Sequence, residues 1–249
     1  MNAAAAAAFA LPPALALGSF LNVVAVRVPA GRSLLHPPSS CGSCGHEIGW
    51  RDTVPVLSYL LLRGRCRHCD ARFSALYPLV EATTAALIVV SIAVFGLTGY
   101  GLLAAGFCAL LVTLSVIDLR HRIVPNRIVL PAAIVVLAVH TALDPSVAWL
   151  LGALGAAGFL FVAALAHPKG LGLGDVKLAL VLGAMLGGSV FIALMVGFVS
   201  ALVPSTVLFA RHGGAARKMA IPLVPFLALG STVALFFGDA IFDAYLGSF

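Results

Sequence analysis

Two aspartates, Asp118 and Asp175, each lie where a long apolar run meets a polar segment. Ionisable groups are costly beside hydrocarbon, so such residues are candidates for function. Two carboxyl groups held close together cannot both ionise easily, and one of them then keeps its proton. The ionised group can take a proton from water while the protonated group polarises a carbonyl. If the two aspartates meet in the fold, they could hydrolyse a peptide bond.

Position alone also fits two structural roles for these residues. Asp175 comes directly before an apolar run, where Asp is a favoured helix N-cap, and Asp118 could end a helix in solvent. The segment before Asp175 has three alternating glycines, Gly170, Gly172 and Gly174. This backbone is flexible and could admit an extended substrate strand, or it could be an ordinary connection.

A third unusual acid, Glu81, lies about one turn into an apolar run after Tyr77 and Pro78. A carboxylate at this depth could snorkel to the interface, pair with an arginine of the preceding segment, or contact a substrate.

Four of the five cysteines form two C-x2-C pairs in one polar segment: Cys41 and Cys44, then Cys66 and Cys69. This spacing is close to that of a zinc ribbon. Four thiolates complete a closed tetrahedral site, so a zinc ion here would be structural. Metal binding would supply folding free energy to a segment too small to bury much core. Free or redox-active thiols and disulfides are the alternatives, and His46 and His68 are alternative ligands.

The composition excludes an ordinary soluble domain. Of the 249 residues, 61% are hydrophobic and only 10% are charged, whereas soluble domains have roughly 25% charged residues. The net charge is +6. In a membrane protein such an excess of basic residues is typically located in the inside loops. The sequence has no basic patch separate from those loops that would indicate nucleic-acid binding.

Apolar runs of about 20 residues predict membrane-spanning helices. The runs are 4–26, 78–96, 100–117, 128–143, 146–166, 176–188, 189–210 and 221–238. The sixth is short, and Gly187 and Gly188 separate it from the seventh, so these two could form one broken element. We therefore predict an all-α membrane protein of about eight transmembrane helices with a small cytoplasmic zinc-ribbon-like loop domain. The predicted domains are a first helix over 1–27, a cysteine domain over 28–77 and a membrane core over 78–249.

The basic residues predict the orientation of the chain. With the N-terminus outside, all 15 Lys and Arg residues fall in inside segments, as the positive-inside rule expects. Those segments are 27–77, 118–127, 167–177 and 211–219. Eight spans then place both termini outside, and Asp118 and Asp175 lie on the same, inner side.

These motifs resemble the prepilin peptidase (type IV leader peptidase) family over nearly the whole chain. The stretch from Gly18 to Arg27 is similar to the opening signature of the family, and the cysteine pairs and Tyr77-Pro78-Leu-Val-Glu81 follow in order. Asp118 matches the first family aspartate. Asp175 matches the second, in its Gly-x-Gly-Asp setting, and Ile221–Gly230 resembles the closing motif. Proline, arginine and glycine are common in the family at three positions that differ here: Gly42, Leu76 and Val224.

The resemblance implies an aspartic endopeptidase in the bacterial inner membrane that cuts the basic leader from prepilins and pseudopilins at the cytoplasmic face. It implies that Asp118 and Asp175 are catalytic. From their positions in the sequence, we predict that Gly172, Gly174 and Glu81 contact the substrate. Many members with this cysteine loop also methylate the new N-terminus with S-adenosylmethionine, so a second activity is expected. The expected partners are these substrates and membrane lipid, without nucleic acid.

Two other function classes are open from the residues alone. A transporter or channel would use buried acids and a broken helix, but it predicts inverted repeats and mid-membrane polar residues that the sequence lacks. A membrane-anchored zinc-ribbon adaptor would explain the cysteine segment. It would not explain acids at matching edges of two distant spans.

Overall fold

A computed structural model describes residues 3–166, 171–213 and 221–246. Within these ranges the chain is helical, and its only β-structure is two isolated bridges in the cysteine segment. The helices are α1 (Ala3–Arg27), α2 (Leu57–Leu61), α3 (Leu76–Phe95), α4 (Gly99–His121), α5 (Asn126–Leu143), α6 (Val147–Ala166), α7 (Leu173–Leu186), α8 (Val190–His212) and α9 (Val224–Leu246). The predicted all-α class is confirmed.

Seven helical stretches in the described ranges are long and apolar enough to cross a membrane. One of them, the 40-residue stretch Leu173–His212, consists of α7 and α8 joined by a 3-10 turn at Gly187–Ser189. A straight helix of that length would measure about 60 Å, twice the apolar thickness of a bilayer. Gly187 interrupts it with a φ of +53°. The predicted sixth and seventh spans are therefore the two halves of one broken stretch, and the chain is a multi-pass membrane protein.

The chain forms two compact units, residues 1–116 and 117–249. In the first unit, α1 packs against α3 through small residues at every fourth position: Ala6, Ala10, Ala14 and Gly18. In a membrane, burying an apolar side chain between helices gains little free energy, because lipid tails are equally apolar. Small residues stabilise the contact because they let the two helices approach closely. Gly18 marks the closest approach, because a Cβ atom there would lie 2.8 Å from the Cα atom of Glu81.

In the second unit, glycines bring helix backbones together in the same way. A Cβ atom on Gly183 of α7 would overlap the carbonyl oxygen of Gly152 on α6. On α9, a Cβ atom on Gly230 would overlap the carbonyl oxygen of Ala193 on α8. These close contacts fix the helices that carry and surround Asp175.

Candidate active site and cysteine cluster

Asp118 lies in the last turn of α4 and is only 6% exposed. Its Oδ2 atom accepts a hydrogen bond of 3.0 Å from the backbone N–H of Val224, the first residue of α9. The first N–H groups of a helix have no partner inside the helix, and the N-terminus favours negative charge. The start of α9 therefore holds this carboxylate in place. The alternative of a solvated helix end is wrong, because the side chain is buried.

Asp175 lies within the first turn of α7 rather than before it. The N-cap is Gly172, in extended conformation, and its backbone N–H donates a 3.2 Å hydrogen bond to Asp175 Oδ2. A carboxylate at the third helical position commonly satisfies the N-cap N–H in this way. The expectation that Asp175 could be the N-cap is wrong, because the helix begins at Leu173, inside the glycine-rich segment.

The first turn of α7 lies against the residues that directly follow α4. A Cβ atom on Gly174 would lie 3.1 Å from the side chain of Val124. Lys177 Nζ donates a 2.9 Å hydrogen bond to Asn126 Oδ1 at the start of α5. The turn that contains Asp175 therefore packs against the segment that directly follows Asp118, although the two aspartates are 57 positions apart in the sequence.

Each of the two carboxyl groups is held through only one of its two oxygen atoms. Each uses Oδ2 to accept a backbone N–H, from Val224 and from Gly172. The two Oδ1 atoms have no hydrogen-bond partner within the described ranges. A side chain fixed at one oxygen and open at the other can bind water or a carbonyl without losing its position. The arrangement is thus suited to acid–base chemistry at a reacting group placed between the two.

The glycine-rich segment is seen only in part, since Gly170 lies outside the described residues. Gly174 has a packing role, because Val124 occupies the space a larger side chain would need. Gly172 supplies the N–H that fixes Asp175. Contact of Gly172 and Gly174 with a substrate remains a prediction.

The four predicted cysteine ligands meet at one point. Their Sγ atoms lie within 4.8 Å of one another, and those of Cys41 and Cys69 are 3.7 Å apart. Ligands at 2.3 Å around a tetrahedral zinc ion would be separated by about 3.8 Å. The set Cys41, Cys44, Cys66 and Cys69 therefore fits a zinc site. His46 and His68 instead lie against each other, with ring centroids 3.5 Å apart.

The two cysteine pairs have the same local fold. The backbone N–H of Gly45 donates to the carbonyl of Cys41, and that of Asp70 donates to the carbonyl of Cys66, at 2.8 and 3.0 Å. Gly45 and Asp70 each follow the second cysteine of a pair and have φ values of +71° and +55°. The turn in each pair points both thiols the same way, as two knuckles around one ion require.

The cluster does not readily carry four negative charges by itself. Backbone N–H groups of Cys44 and Ser43 lower the pKa of Cys41 to about 6. At Cys69 the N–H of Ala71 acts in the same direction, but hydrogen bonds with neighbouring thiols and burial prevail and raise its pKa to about 12. One thiol thus ionises easily and another resists. A divalent cation would relieve this repulsion and favour the full thiolate set.

Two family models match the chain. One, described as the bacterial peptidase A24 N-terminal domain, matches residues 13–95, and the other, the type IV leader peptidase family, matches residues 105–210. The prepilin leader peptidase/N-methyltransferase of Burkholderia pseudomallei strain 1026b is 36% identical over 93% of this chain and 85% of its own length. The protein of the same name in Bacillus subtilis strain 168 is 35% identical over 93% of this chain and 94% of its own.

The chain belongs to the type IV leader peptidase family. The predicted family and the predicted enzyme class are confirmed, and the transporter and adaptor classes fall away. A third relative of the same name, from Myxococcus xanthus strain DK1622, is 39% identical over 69% of this chain and 53% of its own length. No solved structure matches the chain. The leader peptidase model spans both aspartates, and the N-terminal model spans the cysteine cluster and Glu81.

The third predicted acid of this leader peptidase has an unexpected partner. Glu81 is 8% exposed, and its Oε2 atom accepts a 2.7 Å hydrogen bond from the backbone N–H of Val56. It does not snorkel to the surface, and it pairs with no arginine of the described ranges. Sequence reasoning did not find Val56 or Val224, because the donor in each case is a backbone N–H that every residue except proline has.

Proposed function

We propose that this chain cleaves the leader peptide from prepilins and pseudopilins, with Asp118 and Asp175 as the catalytic pair. The observation that carries the proposal is that the first turn of α7, which contains Asp175, packs against Val124 and the start of α5, directly after the end of the helix that contains Asp118. Two like charges so placed favour a state in which they share one proton. Such a pair supplies a base and an acid at the same time, which peptide hydrolysis needs.

In the proposed step, water binds between the two Oδ1 atoms. The ionised aspartate takes a proton from this water, and the oxygen forms a bond to the scissile carbonyl carbon. The protonated aspartate donates its proton to the carbonyl oxygen. Collapse of the resulting diol breaks the C–N bond: the aspartate that took the proton from water gives it to the leaving nitrogen, and the other aspartate takes the proton of the hydroxyl that becomes the new carbonyl. The backbone N–H groups of Val224 and Gly172 keep both carboxyl groups in place throughout.

The proposed location is the cytoplasmic edge of the bacterial inner membrane, with both chain termini outside. All 15 basic residues fall on one side of the predicted topology, which supports this orientation. The apolar part of the substrate would lie among the helices while its basic leader emerges inside. Gly172 and Gly174 would then lie beside the bound substrate strand.

The second proposed activity is methylation of the new N-terminus with S-adenosylmethionine. It is supported by the names of the relatives, which join a leader peptidase to an N-methyltransferase. Zinc held by Cys41, Cys44, Cys66 and Cys69 would supply a structural crosslink for the cysteine segment. Prepilins and membrane lipid are the proposed partners.

Co-expression with a prepilin tests the peptidase, with loss of the leader followed as a mobility shift. We expect cleavage by the wild type and none by Asp118→Asn or Asp175→Asn, since Asn keeps the shape but cannot accept or donate the proton. Asp144→Asn is the matched control, because Asp144 is an exposed acid at the opposite end of α5. Substantial cleavage by either active-site variant would rule out the pair.

A further inference from the structure

The interface between α1 and α3 contains three buried polar side chains, Asn22, Glu81 and Thr84. Their exposed fractions are 5%, 8% and 0%. Buried polar atoms in proteins nearly always have a hydrogen-bond partner, because leaving one without a partner costs free energy. Yet within the described residues Asn22 Oδ1 and Thr84 Oγ1 have none. These two atoms, beside a buried carboxylate, need an explanation.

Two contacts place the three side chains in one cluster. Asn22 Nδ2 donates a 3.1 Å hydrogen bond to the carbonyl of Tyr77. One turn earlier on α1, a Cβ atom on Gly18 would lie 3.1 Å from the carbonyl oxygen of Glu81 and 3.3 Å from the Cβ atom of Thr84. The contacts therefore run antiparallel along the two helices. Asn22 faces the turn that leads into Glu81 and Thr84.

The hydroxyl of Thr84 differs from those of Ser91 and Thr113, although it shares its lack of a partner with Ser231 on α9. Ser91 on the same helix donates to the carbonyl four residues earlier, and Thr113 on α4 does the same, both at 2.8 Å. This bond is the usual way to satisfy a hydroxyl inside an apolar helix. Thr84 does not make it, although it is completely buried. Its hydroxyl is therefore left without the partner that a buried hydroxyl needs.

The atoms without a partner are oxygens that can accept hydrogen bonds. Glu81 uses Oε2 for the N–H of Val56, and its Oε1 atom has no hydrogen-bond partner among the described residues. With Asn22 Oδ1 and Thr84 Oγ1 this leaves three acceptors around one negative charge. Glu81 forms no ion pair with any of the described residues, and the ion pair of Arg67 with Asp52 lies elsewhere. An ammonium group has three donors, no acceptor and a positive charge, so it matches the cluster in number and sign.

We propose that Asn22, Glu81 and Thr84 bind the protonated α-amino group of the processed substrate, the new N-terminus that leader cleavage releases. This inference rests on the proposed function. The depth of the cluster agrees with it. Asn22 lies five residues before the end of α1, and Glu81 five residues after the start of α3. At 1.5 Å per residue this is about 8 Å from the ends that join the cysteine segment. The amine at the head of an apolar segment would lie at that level.

The test measures binding and not turnover. Full-length protein in lipid nanodiscs is titrated with a fluorescent apolar peptide that has a free α-amino group, and with the same peptide N-acetylated. We expect the free amine to bind at least about tenfold more tightly, as charge-assisted hydrogen bonds would give. Equal affinities would overturn the proposal.

Three variants separate the site from a structural role. Thr84→Val keeps the shape and removes the hydroxyl, and Glu81→Gln keeps an acceptor for Val56 but removes the charge. Each is expected to reduce binding of the free amine by about fivefold or more, with no change for the acetylated peptide. Thr83→Val, an exposed neighbour on the same helix, is the matched control and should change neither affinity. An unchanged amine preference in both site variants would contradict the proposal.

Two further measurements distinguish the peptide from S-adenosylmethionine as the ligand, and distinguish failure of the amine site from failure of the proposed peptidase function. S-adenosylmethionine also has an amino group and is titrated in parallel. If it loses affinity in Thr84→Val and Glu81→Gln while the peptide does not, the peptide assignment is wrong. Leader cleavage by the wild type is scored separately. Cleavage without an amine preference overturns only the amine site, whereas an amine preference without cleavage overturns the proposed function.

Discussion

Asp118 accepts a hydrogen bond from the backbone N–H of Val224, 3.0 Å from Oδ2 to N, although 106 residues separate them in the chain. The first turn of α9 thus fixes the position of an acid at the end of α4. Val224 is fully buried, and Pro225 follows it within the closing motif. The closing motif, Ile221–Gly230, therefore has a structural role in the unit 117–249, because it contains the helix start that holds Asp118 in place.

Replacing Val224 with proline removes its backbone N–H at a helix position that tolerates proline. Proline is well tolerated at the first position of a helix, and Val224 is that position. We expect Val224→Pro to lower the rate of leader cleavage by roughly tenfold or more, the effect of one lost positioning hydrogen bond to a charged group. Val224→Ala keeps the N–H and loses only side-chain volume. Equal rates for the two variants would mean that the hydrogen bond does not position Asp118.

Gly174 sets the distance between Asp175 and the segment after α4. An alanine there would bring its Cβ atom to 3.1 Å from Val124, a contact tight enough to displace the first turn of α7. We expect Gly174→Ala to reduce leader cleavage severalfold by moving Asp175. The double variant Val124→Gly/Gly174→Ala removes both the Cβ and the Cγ2 atoms that lie 3.1 Å from the new methyl group and should recover activity. No recovery would place the effect of Gly174 elsewhere, for instance on contact with the substrate.

Much of this architecture could be predicted from the sequence, because lipid imposes a simple rule on spanning segments. Apolar length gave the helices, and the C-x2-C spacing gave the four ligands. Helix ends were less accurate: α9 continues to Leu246, well beyond the predicted residue 238. The partners of Asp118 and Glu81 could not be predicted, since both donors are backbone N–H groups. The prediction that Asp118 and Asp175 act as a pair rested on the family resemblance and not on their spacing.

The cysteine cluster predicts a bound metal that can be counted. Purified protein should contain about one zinc ion per chain by elemental analysis, since four thiolates complete one tetrahedral site. Cys44→Ser should lose most of this zinc, and the segment should become more sensitive to added protease because metal binding stabilises its fold. Cys108→Ser is the matched control, because Cys108 is buried on α4 beside Ser91 and outside the cluster. Zinc retained in Cys44→Ser, or equally reduced in both, would contradict a site built from these four residues.

The packing of α6 against α7 offers a test within a single helix. A Cβ atom on Gly152 would lie 2.7 Å from the carbonyl oxygens of Gly183 and Gly187. These are backbone atoms, so the strain can be relieved only by separating the helices. Overpacking of this kind costs about 1–3 kcal/mol, and we expect Gly152→Ala to lower the unfolding midpoint in detergent by several degrees. Gly155, one turn along the same helix, has nothing within 4 Å of its Cβ position. Gly155→Ala should leave the midpoint unchanged or raise it, because alanine is the better helix former. If both substitutions have the same effect, the close approach of α6 and α7 is wrong, and with it the helix contacts that hold Asp175 in position.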